Sequence, residues 1–109
     1  MNIKETNLNM NLSRMGVMNK INRIIIHHSG VDVDQSAKII HDYHVNSNGW
    51  PAIGYHFVVR YNGDIERGRP LNRTGAHTAN NNNDSIGICV TGNFSTTNLL
   101  GRPEQYNAL

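Results

Sequence analysis

The residues of this chain able to carry chemistry are histidines, a tyrosine and a run of asparagines. His27 and His28 follow directly on Ile24-Ile25-Ile26. Side chains alternate across a strand, so one of these two rings points into a given cleft while the other faces away. A neutral imidazole at a strand end suits zinc ligation, because rigid backbone fixes the ring before a metal arrives. The plainer alternative is a half-buried histidine bonded to backbone. Tyr55 stands after Gly54 at the start of an aromatic and β-branched run. A phenol there can orient a metal-bound water or donate to a developing oxyanion, or it can be a core aromatic with its hydroxyl paired. His77 lies in Gly75-Ala76-His77-Thr78, on a loop where Asn80 to Asp84 supply amide and carboxylate groups. Such a loop either grips a ligand or is a solvent-exposed turn.

His41 and His44 would share one helix face and could bind a metal together, but no His-Glu-x-x-His arrangement accompanies them. The single cysteine, Cys89, stands between Ile88 and Val90 and reads as a small buried apolar residue rather than a nucleophile. One cysteine makes neither an internal disulfide nor a four-cysteine zinc site, so any metal chemistry leans on histidine.

The elements that must position these groups follow from local pattern. Ile24-Ile25-Ile26 is too short for a helix and predicts a buried strand. Asp34-Gln35-Ser36 offers an N-cap to a helix whose apolar face is Ala37, Ile39, Ile40 and Tyr43, with Asn48-Gly49 ending it. From Gly54 to Tyr61, alternation places Tyr55, Phe57 and Val59 on one face and His56 and Val58 on the other, and Asn62-Gly63 predicts a two-residue hairpin turn into Asp64 to Arg67. Gly68 to Asp84 is loop, and Ser85 to Thr91 a second buried strand. Pro103 to Leu109 opens as a helix with proline near its first position. That last helix is short and marginal without partners, so the sequence is expected to be cut before its fold is complete.

A length of 109 residues with 38% hydrophobic and 17% charged suits one small domain and is too short for two. Residues 1–20 are polar and without period, and are assigned to an N-terminal extension beside a domain over residues 21–109. The net charge of +2 comes from scattered Lys and Arg, with no basic block to suggest a nucleic-acid partner. No apolar run approaches the ~20 residues that span a bilayer, so no membrane partner is expected. The N-terminus lacks the apolar centre of a secretion signal, which predicts a chain that is cytoplasmic when made.

Five segments in order resemble the type 2 N-acetylmuramoyl-L-alanine amidases, the family of phage T7-type lysozyme, bacterial amidases and animal peptidoglycan-recognition proteins. They are Ile24 to Ser29; Gly49-Trp50 with Ile53 to Phe57; Asn62-Gly63-Asp64 with Gly68-Arg69; Gly75-Ala76-His77; and Asn82 with Ser85 to Ile88. The resemblance implies an α/β fold with a mixed central β-sheet flanked by helices, cut before its last helix and final zinc-ligand segment. It implies zinc-dependent hydrolysis of the amide between N-acetylmuramic acid and L-alanine, with peptidoglycan as partner and a monomeric, endolysin-like protein held in the cytoplasm until release. His27 matches the first zinc ligand, Tyr55 the tyrosine beside the metal, and His77 and Asn82 groove positions that touch the muramyl peptide. His28 falls where other members vary. The remaining Zn2+ ligands, a His and a Cys or Asp, are expected beyond Leu109, so this chain alone is expected to be inactive. The alternative is a non-catalytic module that grips peptidoglycan without cutting it.

Overall fold

The computed structural model describes residues 2–109. Its strands and helices are β1 Ile3–Lys4, β2 Arg23–His28, α1 Ala37–Asn48, β3 Phe57–Val59, β4 Ile65–Arg67, β5 Ser85–Val90 and α2 Pro103–Ala108, with 3-10 turns at Leu12–Arg14 and Leu99–Gly101. The sheet runs β1-β4-β3-β5-β2. β5 is parallel to both β2 and β3, while β4 is antiparallel to β3 and parallel to β1. The mixed sheet expected from the sequence is therefore present. Val58 and Val59 point to opposite faces, and each seeds its own core. Val58 packs with Ala37, Ile40, Ile53 and Cys89 under α1, whereas Val59 packs with Ile65 and Val90 against Phe94, Leu99 and Ala108 on the α2 side.

Helix α1 starts and stops where its caps dictate. Ser36 Oγ accepts from the Ile39 amide at 3.1 Å, and Gly49 adopts φ 69°, a left-handed conformation that closes the last turn. Glu66 Oε1 accepts from the Ala37 amide at 2.7 Å, placing a carboxylate at the positive end of the helix. Arg60 ties the same carboxylate to Asp34 through ion pairs at 3.1 and 3.0 Å, so the start of α1 is fixed to the β3–β4 hairpin.

Two local expectations are corrected. The hairpin turn is longer than two residues: Arg60 N–H donates to the Asp64 carbonyl at 2.8 Å and Gly63 N–H to the Arg60 carbonyl at 2.9 Å. A two-residue type I′ turn needs positive φ at both central positions, and here Gly63 has it (89°) while Asn62 does not. Asn62 instead accepts from the Asp64 amide through its side chain. Strand β2 is not a buried strand either. Ile24 and Ile26 are 62% and 54% exposed, because β2 stands at the sheet edge and α2 covers only the Val59, Ile65 and Val90 part of that face.

Residues 2–20 are woven into the domain. Ile3 pairs with Ile65, the Asn11 amide donates to Pro51, the Met18 amide to Asn72, and Gly16 accepts from the Thr74 amide. Met15 and Met18 are buried. No helix among the described residues is long and apolar enough to cross a membrane.

Candidate active site

Four rings meet on the α1 side of the sheet. His27 lies 5.6 Å from Tyr55 and 5.1 Å from His77, centroid to centroid, and Tyr55 lies 5.9 Å from His44. His27 is paired in register with Cys89, which is fully buried under α1, so alternation along β2 sends His27 inward and Ile26 and His28 outward. His28 faces the other side, where its Nδ1 accepts from the Phe94 amide at 3.0 Å. The expectation that one ring of the pair enters the cleft holds.

Tyr55 reaches the same cleft by a route that strand alternation does not give. It precedes β3 and packs against the Val58 and Cys89 cluster, rather than sharing a face with Phe57 and Val59. The chain from Gly54 to His56 is not a regular strand. The His56 amide donates to the Gly87 carbonyl at 2.8 Å, but the returning bond, from the Gly87 amide, goes to the His56 ring Nδ1 at 3.0 Å. A Cβ at Gly54 would overlap the Ala76 carbonyl and one at Gly68 the Tyr55 carbonyl, so these glycines permit the close backbone approach. Arg69 clamps the arrangement. Buried itself, it donates to the carbonyls of Ile53 and Thr74, both at 2.7 Å.

His77 sits on a floor of glycine. A side chain at Gly87 would overlap its ring, and one at Gly75 would crowd both His77 and His56. His77 Nδ1 lies 3.0 Å from His27 Nε2, and the Thr78 hydroxyl lies 3.0 Å from His27 Nε2 and 3.1 Å from His77 Nδ1. Asn82 acts on the backbone beneath: its Oδ1 accepts from the His77 and Thr78 amides at 2.9 and 2.8 Å.

Burial sets the charge states. It is the main cause that lowers His77 to about 4, with His27, His56 and Arg69 nearby adding to it, and that lowers His27, aided by His28. Burial also raises the Tyr55 phenol well above its ordinary value and pushes the Cys89 thiol up to about 12. At neutral pH the rings are uncharged, the phenol keeps its proton, and Cys89 is a buried thiol, as its apolar neighbours suggest.

The helical pair His41 and His44 is structural at Nδ1. His41 accepts there from the Ile53 amide at 3.1 Å and His44 from the Gly54 amide at 2.9 Å, so neither lone pair is free for a shared metal. His44 nevertheless belongs to the site, which sequence reasoning missed. With Nδ1 accepting, its hydrogen is on Nε2, and its ring borders a groove of about 400 Å³ beside Tyr55, Tyr43, Ile40, Val31 and Gln35. The three-residue spacing from His41 points to metal binding, and no sequence signal links His44 to Tyr55.

A catalytic zinc site takes three protein ligands and an open position. Among the described residues no three His, Cys, Asp or Glu side chains come together to hold a metal ion. Of the expected ligands His27 is present, and its Nε2 faces His77 and Thr78. The described residues therefore do not by themselves fit the three-ligand site.

Comparison with known proteins agrees with the fold. Residues 17–109 match the family described as N-acetylmuramoyl-L-alanine amidase. Peptidoglycan-recognition protein SC1a of Drosophila melanogaster is 35% identical over 92 residues, covering 78% of this chain and 50% of the relative. The endolysin of Klebsiella phage KP32 is 32% identical over 84 residues, covering 75% of this chain and 53% of the relative. The chain thus spans about half the length of these curated relatives. Among solved structures, the endolysin N-acetylmuramoyl-L-alanine amidase LysCS of Clostridium intestinale superposes with a TM-score of 0.87 at 34% identity, over 98% of this chain and 67% of that one. With the match extending over residues 17–109, the span that contains four of the five strands, the chain belongs to the N-acetylmuramoyl-L-alanine amidase family.

Proposed function

We propose that the protein hydrolyses the amide joining the lactyl group of N-acetylmuramic acid to L-alanine in peptidoglycan. The observation that carries this reading is the approach of His27 to 5.6 Å from Tyr55, a residue that lines a groove, the two coming from segments 28 positions apart in sequence. The groove offers what a wall peptide needs: Val31, Ile40 and Tyr43 supply apolar wall, while Ser29, Gln35 and the His44 Nε2–H supply hydrogen-bonding groups. Tyr55, protonated at neutral pH, is a donor suited to an oxygen that gains charge during attack on the amide carbonyl. His77 and Asn82 enter the reading through the loop they share, with Asn82 Nδ2 and the loop edge available to the muramyl peptide. Zinc dependence is part of the proposal through His27, and its support is the family membership rather than a ligand set among the described residues.

The absence of a three-ligand cluster among the described residues favours a second reading, a module that binds peptidoglycan without cutting it. One experiment separates the two. Purified muropeptides are incubated with the protein, and binding is followed alongside the appearance of new L-alanine amino termini. New termini are expected from the protein carrying all three zinc ligands, and none from residues 1–109 alone. Binding by the protein with all three ligands but without new termini establishes the second reading, and neither signal overturns both.

A further inference from the structure

A hydrogen-bond chain anchored at a group that can only accept has one direction, because each donor it occupies determines the next. Such a chain ends at His27. The Asn81 carbonyl accepts from the Ser85 hydroxyl. With its hydrogen so occupied, Ser85 Oγ is an acceptor toward His77 Nε2 at 3.3 Å, and the Ser85 carbonyl, 3.5 Å from the same nitrogen, is an acceptor as well. His77 Nε2 therefore carries a hydrogen, and in the neutral ring Nδ1 is a bare lone pair. That lone pair lies 3.0 Å from His27 Nε2. Two bare nitrogens at that distance repel, so the hydrogen of His27 is on Nε2, shared between His77 Nδ1 and Thr78 Oγ1. The Thr78 hydroxyl completes the triangle by donating to His77 Nδ1 at 3.1 Å.

We propose that His77, oriented by Ser85 and supported by Thr78, is a positioning residue that holds His27 in a single tautomer, with the hydrogen on Nε2 and the lone pair on Nδ1. His27 then presents Nδ1 to whatever group it meets in the cleft, and His77 acts through His27 rather than by touching substrate. The inference takes its functional meaning from the hydrolase reading, but the tautomer is a property of the folded protein alone. Asn82 has a place in it too, since its two bonds to the His77 and Thr78 amides set the loop from which both side chains reach His27.

The test is a long-range proton–nitrogen correlation spectrum of the uniformly 15N-labelled protein at neutral pH, without substrate. A pyrrole-type Nε2 and a pyridine-type Nδ1 are expected for His27, with a preference of roughly tenfold, about what one well-placed hydrogen bond supplies. The reverse pattern, or an even average of the two, overturns the proposal. In His77→Phe, which removes the acceptor and keeps a ring, the His27 preference is expected to fall to about threefold or less; an unchanged preference in the folded variant overturns the proposal. Should His77→Phe not fold, His77→Leu removes the same acceptor with a smaller side chain, and the same loss of preference is expected; an unchanged preference overturns the proposal. An active protein with the reversed tautomer sinks this inference and leaves the hydrolase reading. The expected tautomer in a protein that carries all three zinc ligands and yields no new amino termini sinks the hydrolase reading and leaves this inference.

Discussion

His27 Nε2 and His77 Nδ1 lie 3.0 Å apart although 50 positions separate them in sequence. Strand β2 delivers the first ring. The second arrives on a loop because Gly87, in the neighbouring strand β5, has no side chain where the imidazole lies. Gly87→Ala puts a methyl group into that ring. We expect a loss of about 1–3 kcal/mol of stability from overpacking, together with displacement of His77 from His27. Denaturant unfolding measures the first, and the His77 and His27 ring resonances report the second. Wild-type ring resonances in Gly87→Ala would show that the glycine does not seat the ring.

Burial that lowers His77 to about 4 makes stability depend on pH. The unfolded chain carries this imidazole at its ordinary value near 6.5, so between the two values the unfolded state binds more protons than the folded one. Stability from this group is complete above about 6.5, declines as pH falls through that window, and levels off below about 4. Urea midpoints taken across this range should fall on acidification, and His77→Gln should flatten part of the slope. A midpoint that rises on acidification would contradict the burial of a neutral ring.

The ease of reading these features from sequence tracks how local their causes are. Helix α1 was legible because Ser36 and Gly49 act within a turn of their own positions. The inward direction of His27 was legible too, since period-two alternation holds along β2. Alternation assigns Tyr55 to the wrong face because the rule needs a regular strand, and the segment before β3 is bent by the His56 ring and by close approaches at Gly54 and Gly68. The exposure of Ile24 and Ile26 was hidden for a similar reason. It depends on what α2 leaves uncovered across the sheet, and no property of the Ile-Ile-Ile run encodes that.

Arg69 is a buried cation whose partners are carbonyls rather than carboxylates. Its guanidinium spans Ile53 and Thr74, and its own amide donates to the Tyr55 carbonyl at 2.9 Å. Arg69→Lys keeps the charge but offers a point donor where a planar fork is needed, so at least one buried carbonyl loses its partner. A destabilisation of about 1–3 kcal/mol is expected from that unsatisfied group. Thermal unfolding of Arg69→Lys measures it, and a variant as stable as the parent would mean that the fork is not what holds the Tyr55 segment.

Tyr55→Phe separates the role of the phenol from that of the ring. The ring packs against the core cluster of Val58, Ile40 and Cys89 and touches His27 and His44, contacts that phenylalanine preserves. Stability should therefore change by no more than about 1 kcal/mol, the scale of one hydrogen bond. The hydroxyl is the part assigned to the developing oxyanion, and removal of one such donor lowers turnover by roughly 10²–10³-fold. In a muropeptide assay of the protein carrying all three zinc ligands, kcat should fall by that factor while KM stays near the parental value, because the donor acts on charge that appears only during attack. A Tyr55→Phe protein that cuts at the parental rate would place the tyrosine among the core aromatics, and would leave His27 without a partner in the chemistry.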